Sequence, residues 1–126
     1  MDIIITIPKN IKWEDYLKEI YTVQDGNEMM LFRVPKLPKK LNIGDRCYLC
    51  YQGQIVGFMK VSWASYIAGF DCTTTGNHWD AGNYVGRSGS FFKMENPVEY
   101  KGFQGFRYAP VEWRYMEFKE MKIQIN

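Results

Sequence analysis

Three groups of residues have the types and spacing to do chemistry. The first is Cys47-Tyr48-Leu49-Cys50, the spelling of a metal or redox pair. The second is a Gly-, Thr- and Asn-rich stretch holding Asn77, His78, Trp79, Asp80 and Tyr84, with Cys72 six residues before the histidine. The third is Arg87-Ser88-Gly89-Ser90, in which a planar fork of donors stands beside backbone and hydroxyl groups that can approach a phosphate closely. Each has a plainer reading: core thiols, loop polar contacts, and an ordinary turn ahead of Phe91-Phe92.

The cysteine pair is the easiest to decide. Residues 45–51 and 54–63 read as two strands joined at Gln52-Gly53, a short antiparallel hairpin. Side chains alternate along a strand, so Cys47 and Cys50 face opposite sides and share neither a metal nor a disulfide. His78 is the sole histidine. No second CxxC and no phosphate-cradling GxxxxGK[ST] occurs. No metal and no cofactor is expected. A Cys72–His78 nucleophile pair would need geometry that spacing cannot supply.

The aromatic residues in the polar stretch point toward binding. Trp79 lies among Asn77, His78, Asp80 and Asn83, where a packed core is hard to arrange. An aromatic face ringed by amides and a carboxylate suits base recognition, with stacking for affinity and polar groups for the base edge. Trp63 and Tyr84 are its candidate partners. Arg87, Ser88, Lys93, Lys101 and Arg107 are the candidate phosphate contacts. Trp113, which alternates with Tyr115, is assigned to the core.

The elements that must position these residues follow from the pattern. The chain has 126 residues, 46% apolar, 24% charged and 17% aromatic, with a formal charge of +2. That bounds it to one domain over 1–126 with a sizeable core and no strong polyanion signature. An odd cysteine count and the absence of a leader-like amino terminus suggest a reducing, cytoplasmic setting. No apolar run approaches the ~20 residues of a membrane span, so no membrane partner is expected.

A β-branched strand opens the chain at residues 3–7 and stops at Pro8. Trp13, Tyr16, Leu17, Ile20 and Tyr21 then recur at helical spacing, predicting one amphipathic helix closed by Asp25-Gly26-Asn27. A second strand is expected at 28–34 and a long loop over 69–89, holding at most a short strand near 83–86. Further strands are expected at 103–108, 111–118 and 121–125. The fold class is α+β: a small, curved or partly closed, mostly antiparallel β-barrel with one amphipathic helix.

Two segments resemble the PUA-like superfamily, which includes the PUA, ASCH, EVE and YTH domains. One is Ile43-Gly44-Asp45-Arg46 entering a strand, followed after Gly53 by Ile55-Val56-Gly57-Phe58-Met59-Lys60-Val61. The other is Lys101-Gly102-Phe103-Gln104-Gly105-Phe106. The ASCH-type GxKxxExR signature is absent. The resemblance implies RNA or DNA binding, with a modified base held between aromatics, and places Trp63 and Trp79 at cage positions. The expectation is therefore a non-catalytic module for nucleic acid or a nucleotide-like ligand. An enzyme acting on a nucleotide through His78, Asp80 or Cys72, and a protein-interaction or inhibitor domain using the same aromatics, are the rivals.

Overall fold

The computed structural model describes residues 1–25, 27–71, 76 and 78–122, with the backbone alone at Phe70. Among these described residues, seven strands form one curled sheet, a half-barrel, accompanied by a single α-helix. The strands are β1 (Ile3–Thr6), β2 (Met30–Val34), β3 (Arg46–Tyr51), β4 (Gln54–Asp71), β5 (His78–Glu99), β6 (Phe106–Tyr108) and β7 (Phe118–Met121); the helix α1 is Trp13–Val23. Their order across the sheet is β2-β5-β4-β3-β1-β6, with β7 alongside β5. All pairs are antiparallel except β1 with β3.

The hairpin forms where its turn residues allow it. Gln52 and Gly53 both have positive φ, 49° and 78°, as a two-residue turn of the type that matches strand twist requires. At the entrance, the Gly44 N–H donates to the Val61 carbonyl and the Val61 N–H to the Asp45 carbonyl, each at 2.8 Å. Register shifts at Ile55/Gly57, Phe58/Lys60 and Val61/Trp63 curl β4 against β5. Gly57 sits at the first of these, and a Cβ there would lie 2.2 Å from the Phe92 carbonyl oxygen.

Both faces of the sheet are covered. Helix α1 lays Tyr16, Ile20 and Val23 on one face, over Ile3, Ile5, Cys47, Leu49 and Val85. The opposite face packs Ile4, Tyr48, Cys50, Phe58 and Met94 against Trp113. Cys47 and Cys50 thus belong to different cores, as strand alternation demands. Their thiols are both buried.

Three expectations need correction. Residues 69–89 do not form a loop: their described part is mostly β5, paired with β4 from Asp71↔His78 through Lys60↔Ser88. Glycine content misleads here because the glycines make room for side chains of β2 and of the residue just ahead of it. A Cβ on Gly82 would meet the Arg33 guanidinium, and one on Gly86 would meet the Met29 sulfur. Second, Val111–Tyr115 is a 3-10 helix and not a strand. Trp113 is still core, with Tyr48 edge-on at 5.2 Å, whereas Tyr115 is exposed. Third, the strand expected at 103–108 is confined to Phe106–Tyr108, and the last described strand, Phe118–Met121, begins ahead of the 121–125 expected. Residues 123–126 fall outside the described residues.

Among the described residues, no helix is long and apolar enough to cross a membrane.

Candidate functional site: a cavity under the helix

A cavity of about 620 Å³ opens between α1, the end of β1, the start of β2, and β5. Its walls are largely aliphatic, with Ile5 and Ile7 from β1 and its exit, Val23 from α1, and Met30, Leu31 and Phe32 from β2. These walls follow from local pattern: the helix turns its apolar stripe inward, and the β-branched opening strand is apolar on both faces. The volume is within the range of small-molecule sites.

Arg87 breaks the apolar pattern. It is cross-strand from Val61 on β4 and Met30 on β2, an inward position of β5, and only 2% of it is exposed. Its Nη1 donates to the Tyr16 hydroxyl, and the guanidinium stands 6.0 Å from the Tyr16 ring centre. Its Nε–H is buried without a hydrogen-bond partner among the described residues. No described carboxylate lies within ion-pair distance of it. A buried charge with neither counter-ion nor full hydrogen bonding is expensive, and native proteins seldom keep one without use.

Tyr16 does not supply the missing negative charge. Burial pushes its hydroxyl above the ordinary tyrosine range, against the pull of Arg87. Burial likewise lifts the nearby Cys47 thiol to about 11. Both are therefore protonated at neutral pH. Burial alone would lower the Arg87 pKa, but the electrostatic influence of Tyr16, Cys47 and Glu19, with the Tyr16 hydrogen bond, outweighs it and the group stays above its usual value. The cation is permanent.

The structure brings two of the sequence-derived candidates to this cavity, Arg87 and Trp79. The half-buried Trp79 ring meets Tyr84 edge-on, with centroids 5.6 Å apart and planes at 74°. Tyr84 itself is 1% exposed and donates its hydroxyl to the Asp80 carbonyl at 2.7 Å. It braces the indole and offers no free face. Trp63, on β4 opposite Gly86 of β5, is half-buried and does not line the cavity.

The remaining candidates lie elsewhere. His78 is exposed on the β4–β5 ribbon, its Nδ1 2.9 Å from Asp71 and its Nε2 3.9 Å from Asp80. Asn77 and Cys72 fall outside the described residues. Half-buried Ser88 faces Lys60 across the sheet, and exposed Lys93 faces Lys119. Lys101 borders a shallow depression at the Gln52-Gly53 turn. Arg107, on β6, lays its guanidinium 4.4 Å from the Phe103 ring centre. Three strands separate β6 from β5, so Arg107 and Arg87 do not converge through the sheet.

No three described His, Cys, Asp or Glu side chains are grouped to hold a metal. Cys50 is buried, its thiol raised by burial and donating to the Tyr100 carbonyl at 3.3 Å. A raised, buried thiol is a poor nucleophile.

Sequence reasoning missed Tyr16 as part of a site, having placed it in the helix's buried stripe. The available signal was Arg87 itself, two residues from Val85 on the same inward row. Comparison with protein-family models, with curated proteins and with solved structures finds no match to this chain.

Proposed function

We propose that this protein is a non-catalytic binding module, of PUA-like kinship, that holds a small anionic ligand with an apolar or planar body in the cavity under α1. The observation that carries the reading is Arg87: a buried guanidinium with a partnerless Nε–H, in a residue that lines a largely apolar cavity with charges of both signs at its rim. An anion against that edge would complete its hydrogen bonding and neutralise it, while the aliphatic walls would take the ligand's body. The PUA-like kinship draws its support from the curled sheet, the Gly44-Asp45 entry and Gly57 in the crossing strand.

The nucleic-acid reading is a second member of the same class. What favours it is that Trp79 shares the cavity wall with Arg87, so a base on the indole and its phosphate at the guanidinium would use one site. The two are separated by tryptophan fluorescence titration with small anionic amphiphiles, mononucleotides and short single-stranded RNA and DNA, at two salt concentrations. Saturable binding of a small amphiphile, lost in Arg87→Met, is the expected result. Oligonucleotide binding that falls steeply with salt and depends on Trp79 would replace it with the nucleic-acid reading. Binding of any of these unchanged by Arg87→Met would remove the cavity from the function.

A further inference from the structure

The cavity has a definite charge balance. Among its lining residues, Lys18 and Arg33 carry positive charge at the rim, and Glu19 and Glu28 carry negative charge. With the buried Arg87, the lining carries one net positive charge, and the Glu19 carboxylate acts on Arg87 from the rim. Arg33 is also committed elsewhere, donating from Nη2 to the Ala81 carbonyl at 3.1 Å. The site therefore has room for one negative charge, not two.

The donors beside that charge are similarly limited. The Tyr16 hydroxyl accepts from Arg87 Nη1, which leaves its own proton available to donate. Burial keeps that proton in place. A ligand at this wall thus meets two kinds of donor, the Tyr16 proton and the guanidinium N–H groups that Tyr16 leaves unbonded.

We infer that the ligand is a monocarboxylate with an aliphatic or aromatic body: its carboxylate paired with Arg87 and Tyr16, its body along Ile5, Ile7, Val23, Met30 and Phe32. This rests on the cavity being the binding site, as proposed above. A carboxylate presents two coplanar oxygens and one charge, matching the donors and the balance. A phosphate monoester carries −1.5 to −2 near neutral pH and a third oxygen, which would bury charge and acceptors with no partner. An uncharged alcohol leaves the Arg87 charge unanswered.

The test is calorimetric titration of the whole protein at neutral pH with octanoate, octanol and octyl phosphate, three probes sharing one tail. Octanoate is expected to bind at least tenfold more tightly than either, because a hydrogen bond to a charged group is worth roughly 1.5–3 kcal/mol, or about ten- to hundredfold. Tyr16→Phe should weaken octanoate severalfold and leave octanol unchanged. Octyl phosphate or octanol binding as tightly as octanoate would overturn the carboxylate assignment while leaving the cavity's binding role standing. No heat from any probe, with no thermal stabilisation either, would overturn both. Equal octanoate binding to a folded Arg87→Met variant would overturn the assignment of Arg87.

Discussion

Arg87 on β5 donates to the Tyr16 hydroxyl on α1, joining residues 71 positions apart inside the apolar half of the barrel. This bond docks the helix onto the sheet and fixes the guanidinium at the cavity wall. It does so without neutralising the charge, because tyrosine remains protonated. The pair is thus half of an arrangement whose other half is an anion.

The first prediction separates stability from function at this pair. Tyr16→Phe removes the acceptor and leaves a second buried donor of Arg87 unpaired, which should destabilise the protein by roughly 1–3 kcal/mol. Arg87→Met removes the buried charge itself and should be close to neutral, or stabilising. Chemical denaturation of both variants checks the order. An Arg87→Met variant much less stable than Tyr16→Phe would mean that the guanidinium is structural.

Alkaline pH should loosen the same region. Cys47 rises from an ordinary 9.0 to about 11 in the fold, so its folded state holds the proton more tightly than the unfolded chain does. The resulting stability is fully present below pH 9 and is lost as pH climbs toward 11, to an extent of order 2–3 kcal/mol. Tyr16, raised in the same direction, adds to the loss above the usual tyrosine range. Denaturation midpoints from pH 7 to 11 should fall, and Cys47→Ala should flatten the fall between 9 and 11. An unchanged slope in that variant would place the titration elsewhere.

Gly57 is predicted to be intolerant of any side chain. Its Cβ would collide with the Phe92 carbonyl at 2.2 Å and with the Phe91 ring at 2.7 Å. Phe91 belongs to the core beneath α1, and the carbonyl is part of a strand, so neither yields easily. Gly57→Ala should destabilise by roughly 1–3 kcal/mol, as overpacking does. A thermal midpoint equal to wild type would show that β4 and β5 can part at this shift. Gly53→Ala, where no atom lies within 4 Å, meets turn strain alone.

On the opposite side, Arg114 grips the carboxylate of buried Asp2 with two bonds, Nε to Oδ2 and Nη2 to Oδ1, both 2.6 Å. Asp2 Oδ1 also accepts from the Arg46 N–H at 2.9 Å. The 3-10 helix is thereby tied to the start of the chain. Arg114→Ala should cost roughly 1.5–3 kcal/mol by stranding that carboxylate, even though the arginine is half-exposed. Arg114→Lys should recover only part of it, lacking the two-pronged fork. Full recovery by lysine in urea denaturation would reduce the contact to simple charge.

What the sequence by itself determined is whatever depends on neighbours along the chain. The Gln52-Gly53 turn, the helical stripe through Tyr16 and Ile20, and the opposite facing of Cys47 and Cys50 all follow from backbone periodicity and turn chemistry. The half-barrel class followed from these. What only the tertiary structure decided depends on pairing across long separations. Residues 78–89 have loop-like composition yet lie in a strand, because β4 supplies its hydrogen-bonding partner, and Arg33 of β2 and Met29 just ahead of it place their side chains where glycines leave space. The same distance effect moved the site. Arg87 was legible as an anion ligand from its type, but its burial beside Tyr16 arises only when α1 docks on β5. A polar residue's partner belongs to the fold and not to the local sequence, so the cavity could not be read before the chain was closed around it.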